Sequence, residues 1–178
     1  QRGITTFQQA KDFFRPTLSQ LHNPFLMKGM KEAVARLDQA LKNNETILIY
    51  GDYDVDGTSA VSLMERYLST FTDKLFTYVP NRYTEGYGIS FQGIDYAEAQ
   101  GCTLIIALDC GIKAIDKVQY AKEKGIDCII ADHHRPSDQV PDAVAVLDPQ
   151  QADCPYPYKE LCGCGLGFKL AQAYHEYL

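Results

Sequence analysis

From Thr46 onward, apolar residues come in short dense runs, and between those runs they recur three or four positions apart. The runs fall at Thr46–Tyr50, Leu75–Val79, Thr103–Leu108, Ile126–Ala131 and Ala143–Leu147, several of them nearly continuous, as expected of strands covered on both faces. Segments near Thr58–Phe71, Gly93–Gln100, Lys113–Lys124 and Gly165–Leu178 read as helices. Strand and helix in alternation predict an α/β fold, a doubly wound, mostly parallel sheet flanked by helices. Residues 1–44 differ in texture. Phe7, Phe14, Leu18 and Leu21 recur at helical intervals, as do Met30, Val34, Leu37 and Leu41 after the Asn23-Pro24 break, so an N-terminal helical preface with core-facing stripes precedes a domain spanning residues 45–178. Asn43-Asn44 ends its second helix.

In doubly wound sheets, ligands collect at the carboxyl ends of the strands, and here those ends carry the chemistry. The first apolar run empties into Gly51-Asp-Tyr-Asp-Val-Asp-Gly57, the second into Pro80-Asn-Arg-Tyr-Thr-Glu-Gly-Tyr-Gly88, the third into Asp109-Cys-Gly111 and the fourth into Asp132-His-His-Arg135. Carboxylates as close as Asp52, Asp54 and Asp56 repel by roughly 4 kcal/mol per pair at about 4 Å and an effective dielectric near 20. A divalent cation relieves that repulsion. The same residues also suit an Asx turn capping the next helix. They do not suit a calcium loop, because the twelfth position counted from Asp52 is Leu63 where a bidentate Glu is required, and the lead-in is a strand.

Composition narrows the setting. The 178 residues are 46% hydrophobic, enough for one full core. No apolar run approaches the roughly 20 residues of a membrane span, and the start lacks the apolar stretch of a signal peptide, so the expected location is cytoplasmic. Of six cysteines, Cys102, Cys110 and Cys128 lie in or beside strand-like runs and read as small reduced hydrophobes. Cys154, Cys162 and Cys164 lack the Cys-x-x-Cys spacing of a zinc knuckle. A net charge of −6 argues against a broad basic surface, but cations bound among the acids would reverse the local sign.

Carboxylates with one or two imidazoles suit Mn²⁺ or Mg²⁺, and two such ions favour in-line displacement at phosphorus. No Ser-His-Asp arrangement competes, since His22 and His175 sit in helical segments. Arg82 offers a forked guanidinium for a phosphate, and Tyr83 and Tyr87 offer faces for unpaired bases. The glycine-rich turn Leu161-Cys-Gly-Cys-Gly-Leu-Gly167 opens the last helix. It either presents backbone amides to a phosphate or permits close packing of helix on sheet.

Taken together and in order, the Gly51–Gly57, Pro80–Gly88, Leu108-Asp-Cys-Gly111, Asp132-His133-His134 and Gly163-Cys-Gly-Leu-Gly167 motifs resemble the DHH phosphoesterase superfamily, and within it the RecJ single-stranded-DNA-specific exonucleases. The resemblance runs from about Ile47 to Lys169. It implies a 5′ to 3′ exonuclease on single-stranded DNA, acting in recombination and repair with Mn²⁺ or Mg²⁺, two ions in number. By position it implies Asp54, Asp56, Asp109 and His133 as metal ligands with Asp52 in support, His134 on the substrate phosphate, and Asp132 orienting the histidines. Arg82, Asn81, Tyr87, Gly163 and Gly165 are the implied substrate-binding residues. Tyr50 is a departure, standing where related DHH phosphodiesterases often place a histidine ligand. The resemblance also implies a further metal-binding aspartate beyond Leu178, and DHHA1 and oligonucleotide-binding domains that this sequence does not contain. Two other readings remain: a phosphodiesterase or pyrophosphatase on short oligonucleotides, cyclic dinucleotides or pyrophosphate, and a noncatalytic nucleic-acid-binding module.

Overall fold

The structure, a computed structural model, describes residues 3–178. Two helices come first, α1 (Phe7–Phe14) and α2 (Met30–Lys42), followed by β1 (Thr46–Gly51), α3 (Val55–Leu68), β2 (Leu75–Tyr78), α4 (Phe91–Ala99), β3 (Cys102–Leu108), α5 (Ile115–Glu123), β4 (Asp127–Ala131), β5 (Ala145–Leu147) and α6 (Gly163–Tyr177). The strands form one sheet in the order β2-β1-β3-β4-β5, and every pairing is parallel. The doubly wound expectation holds, with "mostly parallel" sharpened to wholly parallel among the described residues.

Alternate residues on each strand divide the core in two. Ile47, Ile49, Leu104, Ile106, Leu108 and Ile129 pack with Leu37 of α2, Met64 of α3 and Leu166 and Leu170 of α6. Leu48, Tyr50, Ile105, Ala107 and Ile130 face Ile94 of α4 and Val118 and Ala121 of α5. From β1 the strands are added first outward to β2 and then on the other side through β3, β4 and β5, so the switch point lies between β1 and β3, where open α/β sheets leave a crevice. Arg36 ties α2 beneath the sheet, its guanidinium 2.7 Å from Glu45 and 2.6 Å from Asp127. No helix among the described residues is long and apolar enough to cross a membrane.

The helical preface divides in an unexpected way. Met30, Val34 and Leu37 are buried as the periodicity predicts, and Leu41 packs at the edge of that cluster. The earlier stripe is not core: Phe7 is 85% exposed, Phe14 76% and Leu18 82%, and Leu21 is exposed as well. Pro16 explains part of this, because the residue before a proline is pushed out of the helical region. The helix ends at Phe14, and a short 3-10 turn carries Leu18 in its place. Periodicity reports that a helix has an apolar face; it does not say that anything covers the face. Accordingly, Leu37→Ala should cost about 2–5 kcal/mol, while Phe14→Ala should change stability by no more than about 0.5 kcal/mol, both read from urea unfolding of the purified chain.

Candidate metal centre

The register of the sheet builds the site. Gly51 pairs with Leu108, Leu108 with Ala131, and Ala131 with Leu147. The next residue on each strand is an aspartate, so Asp52, Asp109, Asp132 and Asp148 follow one another along the carboxyl edge, each no more than 1% exposed. Backbone bonds carry the alignment one step beyond the strands: Asp109 N–H donates to Ala131 carbonyl at 2.9 Å and Asp132 N–H to Leu147 carbonyl at 3.0 Å.

These four carboxylates are provided for very differently. Asp132 is the satisfied one: Oδ2 accepts from the Ile112 amide at 2.8 Å, and Oδ1 lies 3.1 Å from the His134 amide and 2.7 Å from His134 Nδ1. Burial alone would raise its pKa, but these bonds outweigh burial and hold it below the usual carboxylate range. Among the described residues Asp52 accepts a long bond from the Gly88 amide, 3.3 Å to Oδ1, and its buried Oδ2 has no hydrogen-bond partner. Asp148 accepts from the Gln150 amide at 2.7 Å and likewise leaves Oδ2 buried and unpartnered. Burial, then the charge of Asp132, pushes its pKa up to about 6 against the pull of the Gln150 amide. Asp109 adopts a left-handed backbone, φ 62°, and its Oδ1 is also buried without a hydrogen bond. Burial first, then the charges of Asp56 and Asp54, pushes its carboxyl up to about 7.

The loop after β1 supplies two more acids. Asp54 caps α3, its Oδ1 accepting from the amides of Asp56 at 2.8 Å and Gly57 at 3.0 Å, and the Gly57 amide leads in holding its pKa down. The capping reading of the sequence is therefore correct for Asp54, whose carboxyl also meets that of Asp109. Asp56 does something the sequence did not suggest: Oδ2 accepts from Gly163 N–H and Oδ1 from Cys164 N–H, both at 2.7 Å. One carboxylate thus anchors the first turn of α6. A side chain at position 163 would collide with Asp109, so glycine is required for α6 to approach this closely. Gly165 donates its amide to Cys162 Sγ at 3.3 Å. Of the two roles open to the glycine-rich turn, close packing is the one its contacts display, since the amides of Gly163 and Gly165 already have partners.

The two histidines face different groups. His133 Nε2 stands 3.1 Å from Asp109 Oδ1 and 3.7 Å from Asp56 Oδ2. His134 is held by Asp132 and edged by Tyr87, whose hydroxyl lies 3.1 Å from both ring nitrogens and donates to the Asp109 carbonyl at 3.2 Å. The bond to Asp132 raises the His134 pKa. Asp132 therefore orients one histidine, His134, and not both.

Asp109 Oδ1 and His133 Nε2 are at hydrogen-bond distance without hydrogen-bond alignment. Donor atoms each about 2.1 Å from an octahedral ion and cis to one another lie about 3 Å apart. That spacing, together with Asp56 beside it and the Asp54 carboxyl next to Asp109, fits a hard divalent cation bound by oxygen and imidazole. Asp109, His133 and His134 place donor atoms within 4.8 Å of one another, the one such cluster among the described residues. The cysteines form no comparable group there: Cys102, Cys110, Cys128 and Cys154 are buried free thiols, and Cys162 caps α6. Tyr50 is no ligand in this arrangement. Its ring lies within the α4–α5 half of the core, and its hydroxyl donates to Gly88 carbonyl at 2.9 Å.

The loop after β2 forms one rim. Asn81 Oδ1 accepts from the amides of Tyr83 and Thr84, so it shapes the turn. Glu85, which sequence reading passed over, binds the Asn81 amide, the Tyr78 hydroxyl and Ser90 Oγ. Arg82 lies over the Tyr53 ring at 5.3 Å, Tyr87 meets Tyr53 edge-on, and Tyr83 is 94% exposed. Asp148 was missed as well, although the signal was available in the aspartate that directly follows the fifth apolar run, as one does the third and fourth.

A family model places the chain in a known class. Residues 46–178 match the DHH family, N-terminal domain, and the chain belongs to that family. Its relatives include the single-stranded-DNA-specific exonuclease RecJ of Bacillus subtilis, 43% identical over 173 residues that make up 97% of this chain and 22% of that protein. RecJ of Escherichia coli is 36% identical over 153 residues, 85% of this chain and 26% of that protein. Among solved structures, an exonuclease RecJ bound to manganese superimposes with a TM-score of 0.77 at 30% identity, over 85% of this chain and 38% of that one. RecJ from Thermus thermophilus in complex with Mn²⁺ gives 0.75 at 27% identity, over 94% and 23%. The chain spans about a quarter of the length of these curated relatives.

Two outcomes follow from the geometry. Gly163→Ala should force α6 away from Asp109, lowering stability by about 1–3 kcal/mol and weakening Mn²⁺ binding in a calorimetric titration. The second concerns pH. Asp109 keeps its proton to about 7 in the fold against an ordinary value of 3.8, so the metal-free fold loses stability as pH rises between those values. A cation must displace that proton below pH 7, so Mn²⁺ affinity should fall by about tenfold per pH unit there and level off above it, which binding isotherms at a series of pH values will check.

Proposed function

We propose that residues 45–178 are the metal-binding domain of an exonuclease that hydrolyses single-stranded DNA from its 5′ end, using two Mn²⁺ or Mg²⁺ ions, in the cytoplasm and in recombination and repair. Residues 1–44 serve it as a helical preface whose second helix is part of the core. The observation that carries the reading is the pairing of Asp109 Oδ1 with His133 Nε2 at 3.1 Å without hydrogen-bond alignment, with Asp56 adjoining. The relatives named as single-stranded-DNA-specific exonucleases support the substrate, and the structures named with manganese support the metal.

In this reading Asp54, Asp56, Asp109 and His133 would hold the ions, and Asp52 would add charge beside them. When bound, such ions supply Lewis acidity at the phosphoryl oxygens and lower the pKa of water. The chain's own residues do the rest. Anchored to Asp132 and favoured in its protonated form, His134 presents a donor to a phosphate oxygen. Burial keeps the Tyr87 phenol protonated, so it serves as a donor rather than a base. Arg82, spread over Tyr53, grips a neighbouring phosphate, and the exposed ring of Tyr83 offers a face for an unpaired base. Asn81 shapes the loop that carries both.

With Mn²⁺ and 5′-phosphorylated single strands, a full-length protein containing these residues should release mononucleotides while leaving duplex intact. Asp109→Ala and His133→Ala should each lower the rate about a thousandfold with the fold retained by circular dichroism. Near-normal rates in either variant at saturating metal would remove the assignment, and a preference for dinucleotides over long strands would replace the substrate.

A further inference from the structure

Beside His134, between the Tyr87–Ile89 loop and the turn leading into α5, lies a cavity of about 230 Å³. Its walls include Tyr87, Ile89, Ile112, Asp132 and His134, together with Lys113 and Lys117. We propose that this cavity is a subsite for a nucleotide phosphate next to the one cleaved, with Lys113 and Lys117 as the groups that recognise it. The proposal rests on the nucleic-acid reading of the metal centre.

Position is the first support. The cavity shares His134 and Asp132 with the centre, so whatever fills it lies beside a phosphate at the metals. Charge is the second. The chain carries a net −6, and six aspartates, residues 52, 54, 56, 109, 132 and 148, crowd the carboxyl edge of the sheet. Cations held at Asp109 would balance that side of the crevice, and on the other side of the site Lys113 and Lys117 are the two lysines lining the cavity, beside His134 and the buried Asp132. Lys113 forms no ion pair among the described residues. Lys117 Nζ is 2.8 Å from Asp116, whose side chain is 62% exposed, and 5.2 Å from the centroid of Phe91. A solvent-exposed pair of adjacent residues contributes little and yields readily to a phosphate.

Shape is the third support. Ile89 and Ile112 are 5% and 2% exposed and give the cavity an apolar wall, suited to a sugar face. The volume is below the roughly 300–1,000 Å³ of sites that enclose a whole small-molecule ligand, so it takes a phosphate and its sugar, not a length of strand. Two sources share that chemistry, the released nucleoside monophosphate and an internal phosphate of the strand.

Calorimetric titration of thymidine, dTMP and the dinucleotide TpT into the 178-residue chain with Mg²⁺ present separates these cases. dTMP or TpT should bind about tenfold or more tightly than thymidine. The Lys113→Ala/Lys117→Ala variant should lose that advantage, and the doubly Arg-substituted variant should keep it. The stronger of the two phosphate-bearing probes identifies the source. A wild-type chain that does not distinguish phosphate-bearing probes from thymidine, or an alanine variant that still does, overturns the subsite. Mn²⁺ titration of the same proteins reports separately on the metal reading: loss of Mn²⁺ binding in Asp109→Ala together with full retention in the double lysine variant keeps the two questions apart.

Discussion

A parallel sheet in which four of five strands run straight into aspartate has to contend with repulsion among buried carboxylates. Asp52, Asp109, Asp132 and Asp148 are brought together by register, not by choice of rotamer, and neither water nor distance is available to separate their charges. The structure deals with them unequally. Asp132 is neutralised by His134 and two amides, and Asp54 and Asp56 are spent partly on the first turns of α3 and α6. Asp109 is left with a buried oxygen and a raised pKa. A carboxylate in that position is expensive unless something positively charged completes it.

The rest of the architecture follows from that constraint. α6 docks on Asp56 and is admitted only by the absence of a side chain at Gly163, so the helix that closes one layer of the core is fastened to the acidic edge itself. The loop after β2 is clamped from beneath by Glu85 and Tyr50, which presents Arg82 and Tyr87 over the same edge. Fold and site are therefore coupled: displacing the acids would loosen a helix, and displacing the helix would scatter the acids. Among the described non-glycine residues a left-handed backbone occurs at Asn44 and at Asp109, and at Asp109 it is held in place by the bond from its amide to the Ala131 carbonyl.

Much of this was legible in the sequence, and the parts that were not have physical reasons. Dense apolar runs gave the five strands to within about two residues, because strands covered on both faces leave a signal that nothing else in the chain mimics. The acids, His133 and His134 were visible as strand-end residues. Sequence spacing could not reveal that Asp56 anchors α6, since its partners Gly163 and Cys164 lie more than a hundred positions away. Nor could it show that Asp132 serves one histidine only, which depends on ring direction. Asp148 was overlooked because β5 is three residues long and its acid stands alone, without the companions that marked the other ends. Phe7, Phe14 and Leu18 misled in the opposite direction, an apolar period that stays exposed on the surface.

The central claim is that Asp109 and His133 are adjacent ligands of one hard divalent ion. Electron spin echo spectroscopy of the chain loaded with Mn²⁺ at about pH 8, above the titration of Asp109, tests it directly, because nitrogen bound to manganese modulates the echo. A nitrogen coupling from a directly bound imidazole should be present in the wild-type chain, disappear in His133→Ala, and survive in His175→Ala. Bound Mn²⁺ with no nitrogen coupling, or a coupling unchanged by His133→Ala, would contradict the account.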